Sequence, residues 1–319
     1  MGWLRRRPRR DGEEAPRDPE FAYFSEREAA LFRATVREAF AELGLEVTVY
    51  ASSVQDDRQR RFGLGNLAAV CHRDRRGPRV WPDLIRRHVT LVVRTLDGPS
   101  ALDTLPPDQI RAQLYPRVVN GEGIDPGAFG YARTLAPGLY EVLALDLPES
   151  VMMLTDDALD RLGDPAQLRA RALKNLRGLP VEEHETVRDA DGMSFEVVVG
   201  DSFYTASRVL DLDALAQRVT GLPLGEHGAL VALPFRHQIA FHPIRDTTII
   251  PALGAMAAFA ASEYEDTPGA ISPYVFWWRG GTLTQLSEHD EDGGELRIVV
   301  GDDFQDLLER LIAQGPGPR

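Results

Sequence analysis

A short polar segment after a predicted strand carries the residue types of an anion-binding site. It reads Gly200-Asp-Ser-Phe-Tyr-Thr-Ala-Ser-Arg208 and stands where the strand ends and a predicted helix begins. Backbone N–H groups at the start of a helix point towards bound anions, and an arginine adds a fork of charged donors. Tyr204, Ser207 and Arg208 are therefore candidate ligand-binding residues. The alternative interpretation makes Ser207 an ordinary helix cap and Arg208 an ordinary surface residue.

Three more polar residues could join them. Arg236 and His237 follow the predicted strand 229–235, and Asn175 lies on the predicted helix 165–177. If these side chains converge on Tyr204, the chain has the polar pocket of a ligand-binding protein or an enzyme. Catalytic groups must lie within hydrogen-bonding reach of each other, and the sequence contains no recognisable catalytic set of that kind.

Arginines dominate a second segment, residues 58–87, which holds nine of them against Asp74 and Asp83, with Phe62 and Trp81 interleaved. A basic stretch with aromatic side chains is typical of a nucleic-acid or other polyanion surface. The pattern also fits a solvated helix face, or a docking surface for the acidic half of the chain or for a partner. The isoelectric point of about 5.1 argues against a dedicated DNA-binding protein. The candidate polyanion-binding residues are Arg58, Arg60, Arg61, Arg73, Arg75, Arg76, Arg79, Arg86 and Arg87.

The sequence lacks the common motifs for cofactors and metals. Gly63-Leu-Gly65 has no third glycine at the spacing of a dinucleotide-binding turn and does not follow a predicted strand. The single cysteine, Cys71, excludes multi-cysteine zinc and iron–sulfur sites held by this chain alone. Its place on the apolar rows of a predicted helix indicates a buried, inert thiol. His237 and His242 are five residues apart, which puts them on opposite faces of a continuous strand. We expect neither a metal nor a cofactor.

Charge is distributed unevenly along the chain. The net charge is −13 over 319 residues, yet residues 1–120 carry +4 and residues 181–319 carry −14. The two ends therefore present opposite fields to a partner or to each other. Because the chain has a single cysteine and no apolar leader follows its basic N-terminal residues, we expect a cytoplasmic location.

The elements that would position these residues alternate between helical and extended periods. Residues 26–43 predict a helix, since apolar side chains recur at helical spacing behind a capping box of Ser25 and Glu28. Strands outnumber the helical crossovers between them, and hairpin signals are frequent. The predicted fold class is therefore α+β, with mostly antiparallel sheets and packed helices.

Further helices are predicted at residues 63–72, 81–96, 108–114, 155–162, 165–177, 202–219, 247–263 and 303–314. Strands are predicted at residues 45–50, 140–147, 181–188, 193–199, 229–235, 238–242, 273–279, 282–287 and 296–300.

Prolines and glycines concentrate in residues 97–138, which predicts a linker between two α/β halves. The predicted organisation is a disordered basic tail (1–19), an N-terminal α+β domain (20–96), the Pro/Gly-rich linker (97–138), a C-terminal α+β domain (139–314) and a disordered tail (315–319).

Residues 203–210, Phe-Tyr-Thr-Ala-Ser-Arg-Val-Leu, resemble the Gly-Tyr-x-Ala-Ser-Arg-x-Leu element of the YtpQ-like family of uncharacterised bacterial proteins. Residues 140–148, 172–177 and 231–237 resemble three other family segments, in the same order. The chain departs from the family at Phe203, where glycine is more frequent, and in its acidic end after residue 288. The resemblance implies a cytoplasmic bacterial protein and brings no activity with it.

Charge segregation and the missing catalytic set favour a non-enzymatic protein-binding or scaffold module that acts with a protein partner or with itself. One alternative is a ligand-binding protein or enzyme with a pocket at Tyr204, Ser207, Arg208, Arg236 and His237. The other is a polyanion binder that uses the arginine-rich segment. Nucleic acid is an unfavoured partner, and no apolar run has the length of a membrane span.

Overall fold

The computed structural model describes residues 16–21, 23–57, 61–97, 101–121, 124–147, 150–189, 193–264, 267–289 and 296–314. The chain divides into two compact units, Met1–Asp97 and Gly98–Arg319. Within the described residues there are ten α-helices and fifteen strands, and all the strand pairs are antiparallel. The predicted α+β fold with mostly antiparallel sheets is confirmed.

The first unit combines three helices with a three-stranded sheet. The helices are α1 (Glu26–Glu42), α2 (Gly65–Arg73) and α3 (Trp81–Asp97), and the strands are β1 (Val47–Val49), β2 (Ser53–Asp56) and β3 (Arg61–Gly63). Helix α1 begins at the predicted capping box, in which the N–H of Glu28 donates to Ser25 Oγ and the N–H of Ser25 donates to the Glu28 carboxylate. Cys71 is buried in the core of this unit, and burial raises the pKa of its thiol to about 12.

The second unit contains the remaining elements. Its helices are α4 (Ala101–Thr104), α5 (Pro107–Ala112), α6 (Asp156–Leu162), α7 (Pro165–Gly178), α8 (Leu212–Thr220), α9 (Ile249–Tyr264) and α10 (Asp302–Gln314). Its strands are β4 (Leu114–Asn120), β5 (Arg133–Ala136), β6 (Leu139–Leu147), β7 (Ser150–Met153), β8 (Glu183–Arg188), β9 (Ser194–Val199), β10 (Ala229–Ala232), β11 (Gln238–Pro243), β12 (Val275–Arg279), β13 (Thr282–Gln285), β14 (Ser287–His289) and β15 (Leu296–Ile298).

A six-stranded sheet with the order β13-β12-β10-β11-β9-β8 forms the centre of the second unit. Alternate residues of its strands enter two different cores, because successive side chains of a strand point to opposite faces. Val231 and Phe276 pack in the core that includes Leu215 of α8. Leu230 and Trp277 pack in the core that includes α9 and α10. Both faces of this sheet are therefore covered by helices.

A second sheet has the order β4-β6-β5, and β7 also pairs with β6. Strand β4 lies in the segment 97–138, which the sequence predicts to be a linker. That prediction is wrong, because this segment supplies α4, α5, β4 and β5 to the second unit. Strand β4 pairs with β6 along its whole length, from Leu114 opposite Leu145 to Asn120 opposite Leu139.

Pro116 lies in the middle of β4, although the proline-rich composition of this segment predicts a linker and not a strand. The N–H of Val118 points away from β6 and donates to Ser207 Oγ, so the backbone nitrogen of Pro116, two residues earlier, also points away from β6. Proline at that position removes no hydrogen bond of the β4–β6 ladder.

The predicted helix 202–219 is interrupted. Its first part is a 3₁₀ segment at Ala206–Asp211, and an α-helix starts only at Leu212. Residues 204–209 are all buried, so this segment has no exposed face of the kind that an amphipathic surface helix presents. Because β4 contacts it on one side and β11 on another, packing overrides the helical propensity of the sequence.

Candidate functional site

Three of the predicted site residues use their polar groups to hold the backbone in place. Asn175 Nδ2 donates to the carbonyl oxygens of Arg111 and Leu114, both at 2.8 Å. Ser207 Oγ accepts the N–H of Val118 at 2.9 Å and is fully buried. The expectation that Asn175 and Ser207 bind a ligand is corrected, because these groups join α7 and the 3₁₀ segment to β4.

Arg208 has the same kind of role. Its side chain is buried, and Nη2 donates to the carbonyl oxygens of Leu179, at 3.1 Å, and Pro180. Burial lowers the pKa of the guanidinium, and the charge of Arg218 lowers it further. Arg208 is thus neither the predicted anion donor nor the alternative surface residue; it anchors the loop after α7.

Two further predicted residues, Arg236 and His237, contact each other and lie beside Phe203. The guanidinium carbon of Arg236 lies 4.4 Å from the centroid of the Phe203 ring. Arg236 Nε donates to His237 Nε2 at 3.0 Å, and His237 Nδ1 lies 3.0 Å from the carbonyl oxygen of Gly200. This pattern requires the hydrogen of a neutral imidazole on Nδ1. His237 therefore orients Arg236, and burial, followed by the charge of Arg236, lowers the pKa of the imidazole.

Gly269 fixes the position of the Arg236 side chain. Its φ of +78° is a conformation that favours glycine, and a Cβ atom there would lie 2.6 Å from Cδ of Arg236. The backbone of Arg236 is also held, since its N–H donates to Gly269 O at 3.0 Å and its carbonyl accepts from Ala206 N at 3.1 Å. Phe203, His237 and Gly269 therefore hold the Arg236 side chain in one position.

A residue that sequence reasoning missed, Arg117 of β4, lies close enough for its charge to act on Arg236. Its Nε is buried and has no hydrogen-bond partner, and no ion pair joins it to an acidic residue in the described parts of the chain. Burial lowers the pKa of Arg236 to about 10, and the charge of Arg117 contributes to the decrease. We call Arg117 and Arg236 the arginine pair. No pattern in the sequence marks Arg117, because it stands in the segment that composition predicts as a linker.

Tyr204 completes the group. The side chain is almost fully buried, its ring stacks on that of Tyr115 with centroids 4.6 Å apart, and its hydroxyl has no hydrogen-bond partner among the described residues. Burial raises the pKa of this phenol, the nearby Asp146 raises it further, and Arg117 acts in the opposite direction. Tyr204 is therefore a neutral hydrogen-bond donor at physiological pH.

The arrangement suits recognition of an anion. Two guanidinium groups and a phenol offer several N–H and O–H donors, and the structure supplies no carboxylate that neutralises the pair within its described residues. Arginine forks bind carboxylate and phosphate oxygens with short, charge-assisted hydrogen bonds. Of the residues predicted for this site, Tyr204 and Arg236 have donors available for a ligand, and His237 positions Arg236. Arg117 is an addition to the predicted set.

The arginine-rich segment belongs to the first unit. Arg58 and Arg60 lie outside the described residues, and Arg61 lies on β3. Arg76 pairs with Asp74 at 2.7 Å, and Arg86 pairs with Glu42 at 2.7 Å and with Asp83. The exposed members are Arg73, Arg75, Arg76, Arg79, Arg86 and Arg87. Two of the nine are thus already neutralised by acidic neighbours, and polyanion binding stays a prediction.

The described residues show neither a metal cluster nor a membrane-spanning helix. They contain no group of three or more histidine, cysteine, aspartate or glutamate side chains placed to hold a metal ion. None of the helices in this part of the chain combines the length and apolarity needed to cross a membrane.

Comparison of the chain with protein-family models, with curated proteins and with solved structures finds no match. The resemblance to the YtpQ-like family stays a prediction.

Proposed function

We propose that the second unit binds a small anionic ligand through Arg117, Arg236 and Tyr204. The arginine pair carries this proposal. Both arginines are half-buried, and a guanidinium that folding partly removes from water without an acidic partner costs folding free energy. A second positive charge nearby adds to that cost. A bound anion would offset both penalties. Strongly perturbed charged groups that neighbour each other cluster at functional sites more often than elsewhere.

The contacts around Arg236 support recognition rather than a purely structural role. Its Nε donates a hydrogen bond to His237, and the flat face of its guanidinium lies on the ring of Phe203. These two contacts direct the remaining guanidinium N–H groups away from both residues. No hydrogen bond from these groups to a described residue is present. The unpartnered hydroxyl of Tyr204 adds an uncharged donor. Phosphate and carboxylate both match two charged forks and one phenol.

Isothermal titration of the full chain with inorganic phosphate, and separately with acetate and citrate, tests the proposal. Arg117→Met and Arg236→Met should each weaken binding by about tenfold or more, which corresponds to the ~1.5–3 kcal/mol of a charge-assisted hydrogen bond. Tyr204→Phe should weaken binding less, because it removes a neutral donor.

Arg188→Met is the matched control, since Arg188 is an exposed residue at the end of β8 in the same unit. It should bind the anions like the wild type. Failure of all three anions to bind, or equal affinity in wild type, Arg117→Met and Arg236→Met, would overturn the proposal.

A protein-binding role remains a second candidate, and a specific surface favours self-association. Ile298, Val299 and Val300 are consecutive and all exposed, at the end of the edge strand β15. Exposed apolar clusters on a sheet edge favour strand pairing between copies. Light scattering across a concentration series should detect a dimer that Ile298→Lys abolishes. Leu222→Lys, at an exposed apolar residue outside this surface, should leave the dimer intact. A monomer at every concentration contradicts this candidate.

A further inference from the structure

A cavity of about 220 Å³ lies in the second unit, where its two larger sheets meet. Side chains of β4, β5, β6, α7, the 3₁₀ segment and the β12–β13 hairpin line it. Neither member of the arginine pair is among the lining residues, and Tyr204 is not among them either. The cavity is therefore a separate feature from the anion site described above.

Most of the cavity wall is apolar. Leu135, Leu173 and Leu210 pack against the cores of the unit and yet stay only half-buried, because part of each side chain faces the cavity. Trp278 and Leu283 add further apolar surface. An apolar group that enters this site removes apolar surface from water, and the gain in binding free energy is proportional to the area it buries.

One side of the cavity is charged. Glu141 is 4% exposed and lies between two arginines. Arg169 Nε is 3.1 Å from Oε1 of this carboxylate, and Arg169 Nη2 donates to the carbonyl oxygen of Tyr131, so Arg169 is fixed. The side chain of Arg133 is 59% exposed, and its Nη1 contacts Oε2 of Glu141 at 3.2 Å.

The two arginine contacts of Glu141 differ in quality. Arg169 forms an aligned hydrogen bond with Oε1, whereas Oε2 accepts no aligned hydrogen bond, although Arg133 is within ion-pair distance. Arg133 is therefore held loosely, and most of its donors are available at the edge of the cavity. The three charges sum to a net positive charge, which favours an anionic group there.

The geometry points to a binding site for an amphipathic monocarboxylate, whose apolar chain enters the cavity and whose carboxylate pairs with Arg133. Net positive charge disfavours an amine, and a neutral chain makes no use of Arg133. The volume is below the roughly 300–1,000 Å³ typical of drug-sized ligands, which favours a single short aliphatic chain over a ring system.

Titration of the full chain with octanoate, octanol and octylamine tests this inference. Octanoate should bind most tightly, and acetate, which has the same head group without the chain, should bind far more weakly. Arg133→Gln should reduce octanoate affinity about tenfold, the loss expected for one charge-assisted hydrogen bond, and should leave octanol affinity unchanged.

Leu173→Trp should abolish octanoate binding by filling the cavity. If this variant misfolds, as judged by circular dichroism, the exposed Arg133→Gln still supplies the test. Arg117→Met should keep the tight octanoate binding and lose only the weaker binding that acetate also shows, which separates this site from the proposed anion site. Equal affinity for octanoate and octanol, no octanoate binding, or an unaltered affinity in Arg133→Gln would overturn the inference.

Discussion

The backbone N–H of Val118 donates a 2.9 Å hydrogen bond to the hydroxyl oxygen of Ser207, 89 residues further along the chain. Both groups are buried, and the bond closes the edge of β4 that does not face β6. An edge strand would otherwise leave this N–H without a partner. Ser207 is therefore a structural residue that connects the 3₁₀ segment to the second sheet.

Ser207→Ala should destabilise the chain by about 1–3 kcal/mol, because it leaves the buried N–H of Val118 unpaired. Urea unfolding followed by circular dichroism measures the change. The control is Ser262→Ala on α9, an exposed serine whose loss should alter stability by less than about 0.5 kcal/mol. Equal stability of both variants would show that Val118 finds another acceptor.

Arg117→Met should raise the stability of the ligand-free protein by about 1–2 kcal/mol, because it removes a half-buried charge that repels Arg236 and whose buried Nε has no hydrogen-bond partner among the described residues. A gain in stability together with a loss of phosphate affinity is the signature of a binding residue. Arg208→Met gives the contrast, since it removes the hydrogen bonds to Leu179 and Pro180 and should lower the melting temperature. If both arginine variants are destabilised alike, Arg117 is a structural residue.

Gly269→Ala should destabilise the protein and also weaken anion binding. Its Cβ would strain a left-handed residue and would lie 2.6 Å from Cδ of Arg236, displacing the guanidinium. Gly221→Ala is the matched control: φ is +73° there and no atom lies within 4 Å, so strain alone should cost about 1–2 kcal/mol. A larger stability loss and a weaker phosphate affinity in Gly269→Ala than in Gly221→Ala are expected.

Stability should decrease as the pH falls below the ordinary histidine pKa of 6.5, with a contribution from His237. Burial and the charge of Arg236 lower the pKa of His237 in the folded state, while the carbonyls of Gly200 and Ser202 and the charge of Asp201 act in the opposite direction. The unfolded chain therefore takes up the proton first, so this group's contribution is present above pH 6.5 and is lost as the pH falls.

His237→Gln isolates that contribution in urea titrations across the pH range. The buried His242 titrates in both proteins and cancels in their difference. The wild type should lose more stability than the variant as the medium becomes acidic. Parallel curves would assign the acid sensitivity to other groups.

Local signals were sufficient for part of the fold. The capping box of Ser25 and Glu28 fixes the start of α1, and Asp164 caps α7 through the N–H groups of Ala166 and Gln167. Such contacts span only three residues, so the sequence displays them directly. Strand β4 was missed because Pro116 and the prolines around the strand are typical of loops. The sequence does predict its partner β6, but the pairing of the two strands is a tertiary contact that local patterns do not display.

The candidate site was predicted in part for the same reason. Arg236 and His237 are adjacent in the sequence, and the backbone of Arg236 pairs with Gly269 on a nearby loop. Arg117 approaches them only because the 3₁₀ segment joins β4 to the region around β11. Ser207 and Arg208 were predicted to bind a ligand, but both are buried and hydrogen-bond to backbone groups. A sequence does not reveal which polar side chain already has a backbone partner.

The distance along the chain between Arg117 and Arg236 has a consequence for the order of folding. Hairpins such as β8–β9 and β12–β13 join neighbouring segments and can form early, whereas the contact of β4 with Ser207 closes a long loop. We therefore expect the arginine pair to be assembled in a late step, after the transition state. An anion that binds this pair should slow the unfolding rate and leave the refolding rate nearly unchanged.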